Sequence, residues 1–135
     1  MKYIVLIFIF IICSLCIKGQ NLIGYDSDQI IKYMNKNHTN LVLETNFKND
    51  HYKYLKFTDG QLDSTTILFF LSEKDKCTSV KMIYDLSMKK EILKDLNSLY
   101  TRINENEWRD KSRRRKATII LTEEDWFLTV SIKPE

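Results

Sequence analysis

Glycine is scarce in this sequence, with Gly19, Gly24 and Gly60 the only three. A phosphate-cradling loop or a dinucleotide-binding turn needs clustered glycines, and a nucleophile elbow needs one on each side of its serine. None of these can be written here. Histidine is as rare: His38 and His51 lie 13 positions apart, and no cysteine pair accompanies them. Zinc sites use closely spaced Cys and His ligands, so neither a metal nor any other cofactor is expected. With these motifs missing, the chain reads as a non-enzyme. A Cys77–histidine pair stays open, because nucleophile and base need only meet in space.

Long apolar runs are also missing beyond one short stretch. Tyr3 to Ile17 holds 15 residues, of which Ser14 is polar, and Lys2 precedes it. A bilayer core takes about 20 apolar residues, so the run fits the apolar region of a signal peptide better than a permanent span. Gly19 is the natural residue before the cut, which makes 1–19 the leader and 20–135 a single domain starting at Gln20. Ile17 fits poorly at the third position before that cut, and the alternative is a chain anchored in the membrane by its N-terminus. Lipidation fails, because Cys13 follows Ile12 and Cys16 follows Leu15, where a small residue is required. The domain is expected to be exported: periplasmic, outer-membrane-associated or secreted, with no transmembrane segment after processing. Without Lys2 and Lys18, 19 basic residues face 18 acidic ones. Cys77 is then the single cysteine, and burial as a small apolar residue is its expected role.

What the chain does contain is periodic. Asp26 and Gln29 form a capping-box pattern, with Tyr25 and Ile30 placed as a hydrophobic staple. Ile30, Ile31 and Met34 give the helix that follows an apolar face. Strand patterns cover Leu41–Phe47, Tyr52–Thr58, Thr65–Ser72 and Cys77–Tyr84. Ser87 is the expected cap of a second helix, striped by Met88, Ile92, Leu96 and Leu99. Three more strands follow: Ile103–Arg109, Ala117–Thr122 and Trp126–Lys133. In the last, Trp126, Leu128, Val130 and Ile132 alternate with Thr129, Ser131 and Lys133. The predicted fold is α+β, with two helices packed on one face of an antiparallel sheet in the order α-β4-α-β3. Gln29–Asn35 aligns with Glu91–Asn97 at an offset of 62. At that offset Phe47 falls beside Trp108, and Tyr52–Phe57 beside the run ending at Ile119, which suggests a tandem αβββ duplication.

The lysine-started leader ending in Gly19-Gln-Asn21, the Tyr54-Leu-Lys-Phe-x-x-Gly60 segment, Trp108 and the closing Phe127-Leu-Thr-Val-Ser-Ile-Lys-Pro134 resemble uncharacterised small exported proteins of Bacteroidetes-type bacteria. The resemblance implies a Gram-negative envelope or secreted setting and carries over no functional residues. In element order alone the chain is similar to the tandem helix-plus-sheet domains of β-lactamase-inhibitor-like and PepSY-like proteins, which is an analogy of fold.

One dense feature remains. Arg109-Asp-Lys-Ser-Arg-Arg-Arg-Lys116 holds six basic residues, Arg109, Lys111, Arg113, Arg114, Arg115 and Lys116, where a hairpin should turn. Such a cluster suits an acidic protein or an anionic envelope component. Nucleic acid is not expected as a partner, since readers of it add a recognisable motif or interleaved aromatics, and only Trp108 is near. The bland reading is a charged tip that keeps a sheet edge soluble. Phe127 lies opposite Trp126 on its strand, so one of the two is expected at the surface, where it would mark a binding patch. The expected function is an exported binding or interaction domain, and the alternative is an inhibitor or immunity-type protein against an exported enzyme.

Overall fold

Two reciprocal hydrogen bonds open the first helix. Asp26 Oδ1 accepts from the Gln29 amide at 2.9 Å, and Gln29 Oε1 accepts from the Asp26 amide at 3.1 Å. They satisfy two of the amides that a helix start leaves without partners. Helix α1 (Ser27–Asn37) buries Ile30 and Met34 and ends at His38, whose amide donates to Met34 O. The computed structural model describes residues 21–44, 53–60, 64–111 and 116–135. The leader, 1–19, lies outside the described residues.

Helix α2 (Lys89–Leu99) buries Ile92 and Leu96. Its bounds and its two buried residues match those of α1 at the offset of 62. Ser87 is not its cap. Asp85 Oδ1 accepts from the Ser87 amide at 2.9 Å and from its hydroxyl at 2.6 Å, capping a 3-10 turn over Leu86–Met88 that leads into the helix. A carboxylate two residues earlier outcompetes the hydroxyl as acceptor.

The strands are β1 (Val42–Leu43), β2 (Tyr54–Thr58), β3 (Thr65–Leu71), β4 (Cys77–Asp85), β5 (Thr101–Arg102), β6 (Glu107–Asp110), β7 (Ala117–Glu123) and β8 (Phe127–Pro134). All pair antiparallel in one sheet of order β1-β2-β3-β4-β8-β7-β6-β5. Each half of the chain is thus a helix followed by a four-stranded meander, and the meanders join through β4 and β8. The two free edges, β1 and β5, are two residues long each, which leaves little template for unwanted pairing.

This corrects the expected α-β4-α-β3 arrangement. An eight-stranded antiparallel sheet dominates, the helices are not packed in that pattern, and each helix precedes four strands. The extra strand, β5, occupies Thr101–Arg102, just ahead of the run read as Ile103–Arg109, whose first residues are the turn into β6. There the chain reverses: the Ile103 and Asn104 amides both donate to Glu107 O, and Asn104 Oδ1 accepts from the Asn106 amide at 3.0 Å. Two-residue β5 is too short to show alternation. The single offset of 62 fails beyond the helices for the same reason. It sets β2 beside β7, whereas the strand second from the opposite edge is β6. Phe47 and Tyr52, used in that alignment, lie outside the described residues.

Register defines the core. Phe57, Ile67, Met82, Val130 and Leu121 form one cross-strand row, and Phe69, Val80, Ile132, Ile119 and Trp108 form the next. All ten are buried, and the Phe57 and Phe69 rings meet edge to face at 5.9 Å. Met34 of α1 lines the same small cavity as Ile67, Phe69, Val80 and Met82. Asn97 of α2 accepts from Trp108 Nε1 at 2.9 Å, which satisfies the indole that burial would otherwise strand. Ahead of α1, Gly24 adopts φ +85°, letting its amide reach Cys77 O while Tyr25 O takes the Cys77 amide, each at 2.8 Å. That pins the start of the domain to the first residue of β4.

Candidate functional site: a basic corner

Strands β6 and β7 pair from Glu107↔Ile120 to Asp110↔Ala117, so Lys111 and Lys116 flank the point where one strand gives way to the other. Arg109, Lys111 and Lys116 are exposed at the base of this hairpin. Arg113, Arg114 and Arg115 lie outside the described residues. Register adds a residue that the linear cluster does not contain. Thr118 pairs with Arg109 on one side and with Lys133 on the other. Strands lie about 4.8 Å apart, so the Arg109 and Lys133 backbones stand about 10 Å apart on the same sheet face. The alternation of Thr129, Ser131 and Lys133 marked that face, but nothing local in sequence joined Lys133 to a run more than 15 residues earlier.

Two acids complete the corner. Glu135 Oε1 lies 3.3 Å from Arg109 Nε, and the Glu135 amide donates to Lys116 O at 3.1 Å. Asp110 faces the other way, accepting from Asn21 Nδ2 at 2.8 Å. Both ends of the described chain are therefore fastened to the base of this hairpin. No ion pair joins Lys111, Lys116 or Lys133 to an acid among the described residues. Trp108, the nearest aromatic in sequence, is fully buried and offers no stacking surface.

The other sequence candidates fall elsewhere. Cys77 is buried at the start of β4, its thiol donating to Ser79 O, and burial pushes its pKa up to about 11. At neutral pH such a thiol is protonated and a poor nucleophile. His38 is half-buried rather than solvated, against Leu22, Tyr33 and Met34, and burial lowers its pKa. His51 lies outside the described residues. No three His, Cys, Asp or Glu side chains gather as metal ligands among the described residues.

Trp126 does not continue the buried stripe of β8. It belongs to the β7–β8 turn, closed by the Glu124 amide donating to Phe127 O at 2.9 Å, and is 83% exposed. Phe127 beside it is 41% exposed, so both aromatics reach the surface, at the far end of β7 and β8 from the basic corner. Near that far end a cleft of about 700 Å³ is lined by Lys89, Leu93, Arg102, Glu105, Thr122 and Glu123, among others. Its cations are already engaged. Lys89 pairs with Glu123, and Arg102 lies 5.5 Å over the Trp108 ring while donating to Asn104 O and Glu105 O.

Set against family models, curated proteins and solved structures, the chain has no match in any of the three. Among the described residues no helix is long and apolar enough to cross a membrane.

Proposed function

We propose that this chain is an exported, non-enzymatic binding domain that presents its Arg109–Lys116 hairpin to an acidic or anionic partner. The observation that carries the reading is the basic corner, where register adds Lys133 to exposed Arg109, Lys111 and Lys116. A domain with 19 basic and 18 acidic residues gains little solubility from collecting its cations at one place. Like charges held together repel, and a negatively charged partner relieves that repulsion. Poly-L-glutamate is a suitable probe. Changing Arg113, Arg114 and Arg115 together to serine should leave stability within about 0.5 kcal/mol. It should also weaken binding at low ionic strength, and salt should erase the difference. A variant that binds the probe as the parent does, at every salt concentration, reduces the loop to a solvated turn.

A second reading, inhibition of an exported enzyme, draws on the exposed Trp126–Phe127 pair, because aromatic anchors dominate protein interfaces. It expects Trp126→Ala to abolish capture of a hydrolase from the same envelope, with the hairpin variant still binding.

A further inference from the structure

We infer that the basic corner docks on an anionic lipid surface, and that the fold positions it there by fastening the N-terminal end of the domain beside it. The inference deepens the function proposed above and rests on it. Asn21 is buried and bonded to Asp110, the residue before Lys111. The apolar run Tyr3–Ile17 ends four residues before Asn21. Four extended residues span at most ~14 Å. In the form anchored by its N-terminus, the membrane that receives residues 3–17 lies within that reach of Asn21, whose side chain is bonded to Asp110, so the hairpin base stands near the headgroup layer. The charges found there match the layer. Arg109, Lys111, Lys116 and Lys133 are exposed, so they meet phosphates without being stripped from a core. A polybasic segment beside a membrane entry point gains from the negative surface potential within about a Debye length, roughly 8 Å at physiological salt.

An acidic protein is the weaker match to this corner. Tight protein interfaces centre on desolvated aromatic or arginine anchors. The nearby indole of Trp108 is buried, and Arg109 is already paired to Glu135. Among the described residues, Lys111, Lys116 and Lys133 add exposed point charges, which suits diffuse electrostatic attachment to headgroups.

The test uses the exported protein in whichever processed form its host yields, sedimented with phosphatidylcholine vesicles that contain or lack phosphatidylglycerol. Poly-L-glutamate serves as the soluble acidic arm. Lys116→Gln with Lys133→Gln should weaken binding to the anionic vesicles by roughly tenfold or more at low salt, each basic residue near such a surface being worth about fivefold. Lys90→Gln with Lys94→Gln removes the same charge from exposed positions of α2 and should change binding less than about twofold. Circular dichroism checks that both variants fold. Equal losses from the two pairs would mean that net charge acts without a site, and the inference fails. Binding that ignores phosphatidylglycerol, while poly-L-glutamate is still held at the corner, rejects the lipid and keeps the hairpin reading. Failure to bind either probe removes both.

Discussion

The two faces of one sheet differ more than any two segments of the chain. On one face, Phe57, Ile67, Met82, Val130 and Leu121 run across five strands and are all buried. One residue along, the row on the other face reads Lys56, Leu68, Lys81, Ser131, Ile120 and Glu107, half-buried or exposed. Both rows belong to the same antiparallel ladders, so strand pairing does not distinguish them. The difference lies in water. Burying an aliphatic or aromatic side chain contributes about 1.5–3 kcal/mol, and only the first row collects it in full. Sequence on the second face is therefore free to carry charge, and Arg109 and Lys133 of the basic corner lie on it. Stability and binding should then be separable by substitution, one face at a time.

The largest effect should come from Trp108→Ala, which empties a fully buried site and removes the indole hydrogen bond to Asn97. A loss of about 3–5 kcal/mol in urea titration is the expectation. Leu96→Ala should follow at about 2–5 kcal/mol, since Leu96 is buried on α2 one turn after Ile92. A cost below about 0.5 kcal/mol for either would mean that the buried face is not what holds the sheet. Neither variant that still folds should alter the salt dependence of probe binding.

Much of the buried face could be read from local pattern. The capping box at Asp26 and Gln29, the spacing of Ile92 and Leu96, and the alternation of Leu128, Val130 and Ile132 all appear in the structure. These features depend on neighbours a few residues away. Strand order does not: the β4–β8 pairing at the centre of the sheet joins residues about 50 apart and leaves no local trace. Trp126 fitted the period of β8 and yet fell in the turn, because alternation cannot say where a strand begins. The basic corner was half legible for the same reason. Its contiguous run stood out, whereas Lys133 and the Asn21–Asp110 bond arrive through register and tertiary contact.

Acid should act first on the buried side. Burial holds the His38 pKa below its ordinary 6.5, so the folded state prefers the neutral ring. The stability that this contributes is present above pH 6.5 and is lost as pH falls below it toward the folded value. Asp59, Asp75 and Asp85, lowered by hydrogen bonds from Ser64, Ser27 and Ser87, contribute stability that is lost only as pH drops below 3.8. Thermal melts should therefore show a decline starting just below pH 6.5 that His38→Gln removes, and a second one near pH 4 that it leaves in place. Should the first decline survive in the variant, a group other than His38 is responsible.

The smallest expected effect is the sharpest test of the open face. Ile120 is 40% exposed, and its cross-strand neighbours there are Glu107 and Ser131. Ile120→Thr keeps a β-branched side chain suited to the pleat and removes an apolar group already in contact with water. Surface changes of this kind shift stability by about 0.5 kcal/mol or less. The comparison breaks if urea titration instead gives a cost near that of Leu96→Ala. Such a result requires the open face to be covered, and the dependence of the cost on protein concentration identifies the cover. A cost that grows with concentration points to a second copy stacked on the sheet, because binding to the folded state alone stabilises it by mass action. A cost independent of concentration places the missing cover within the chain itself.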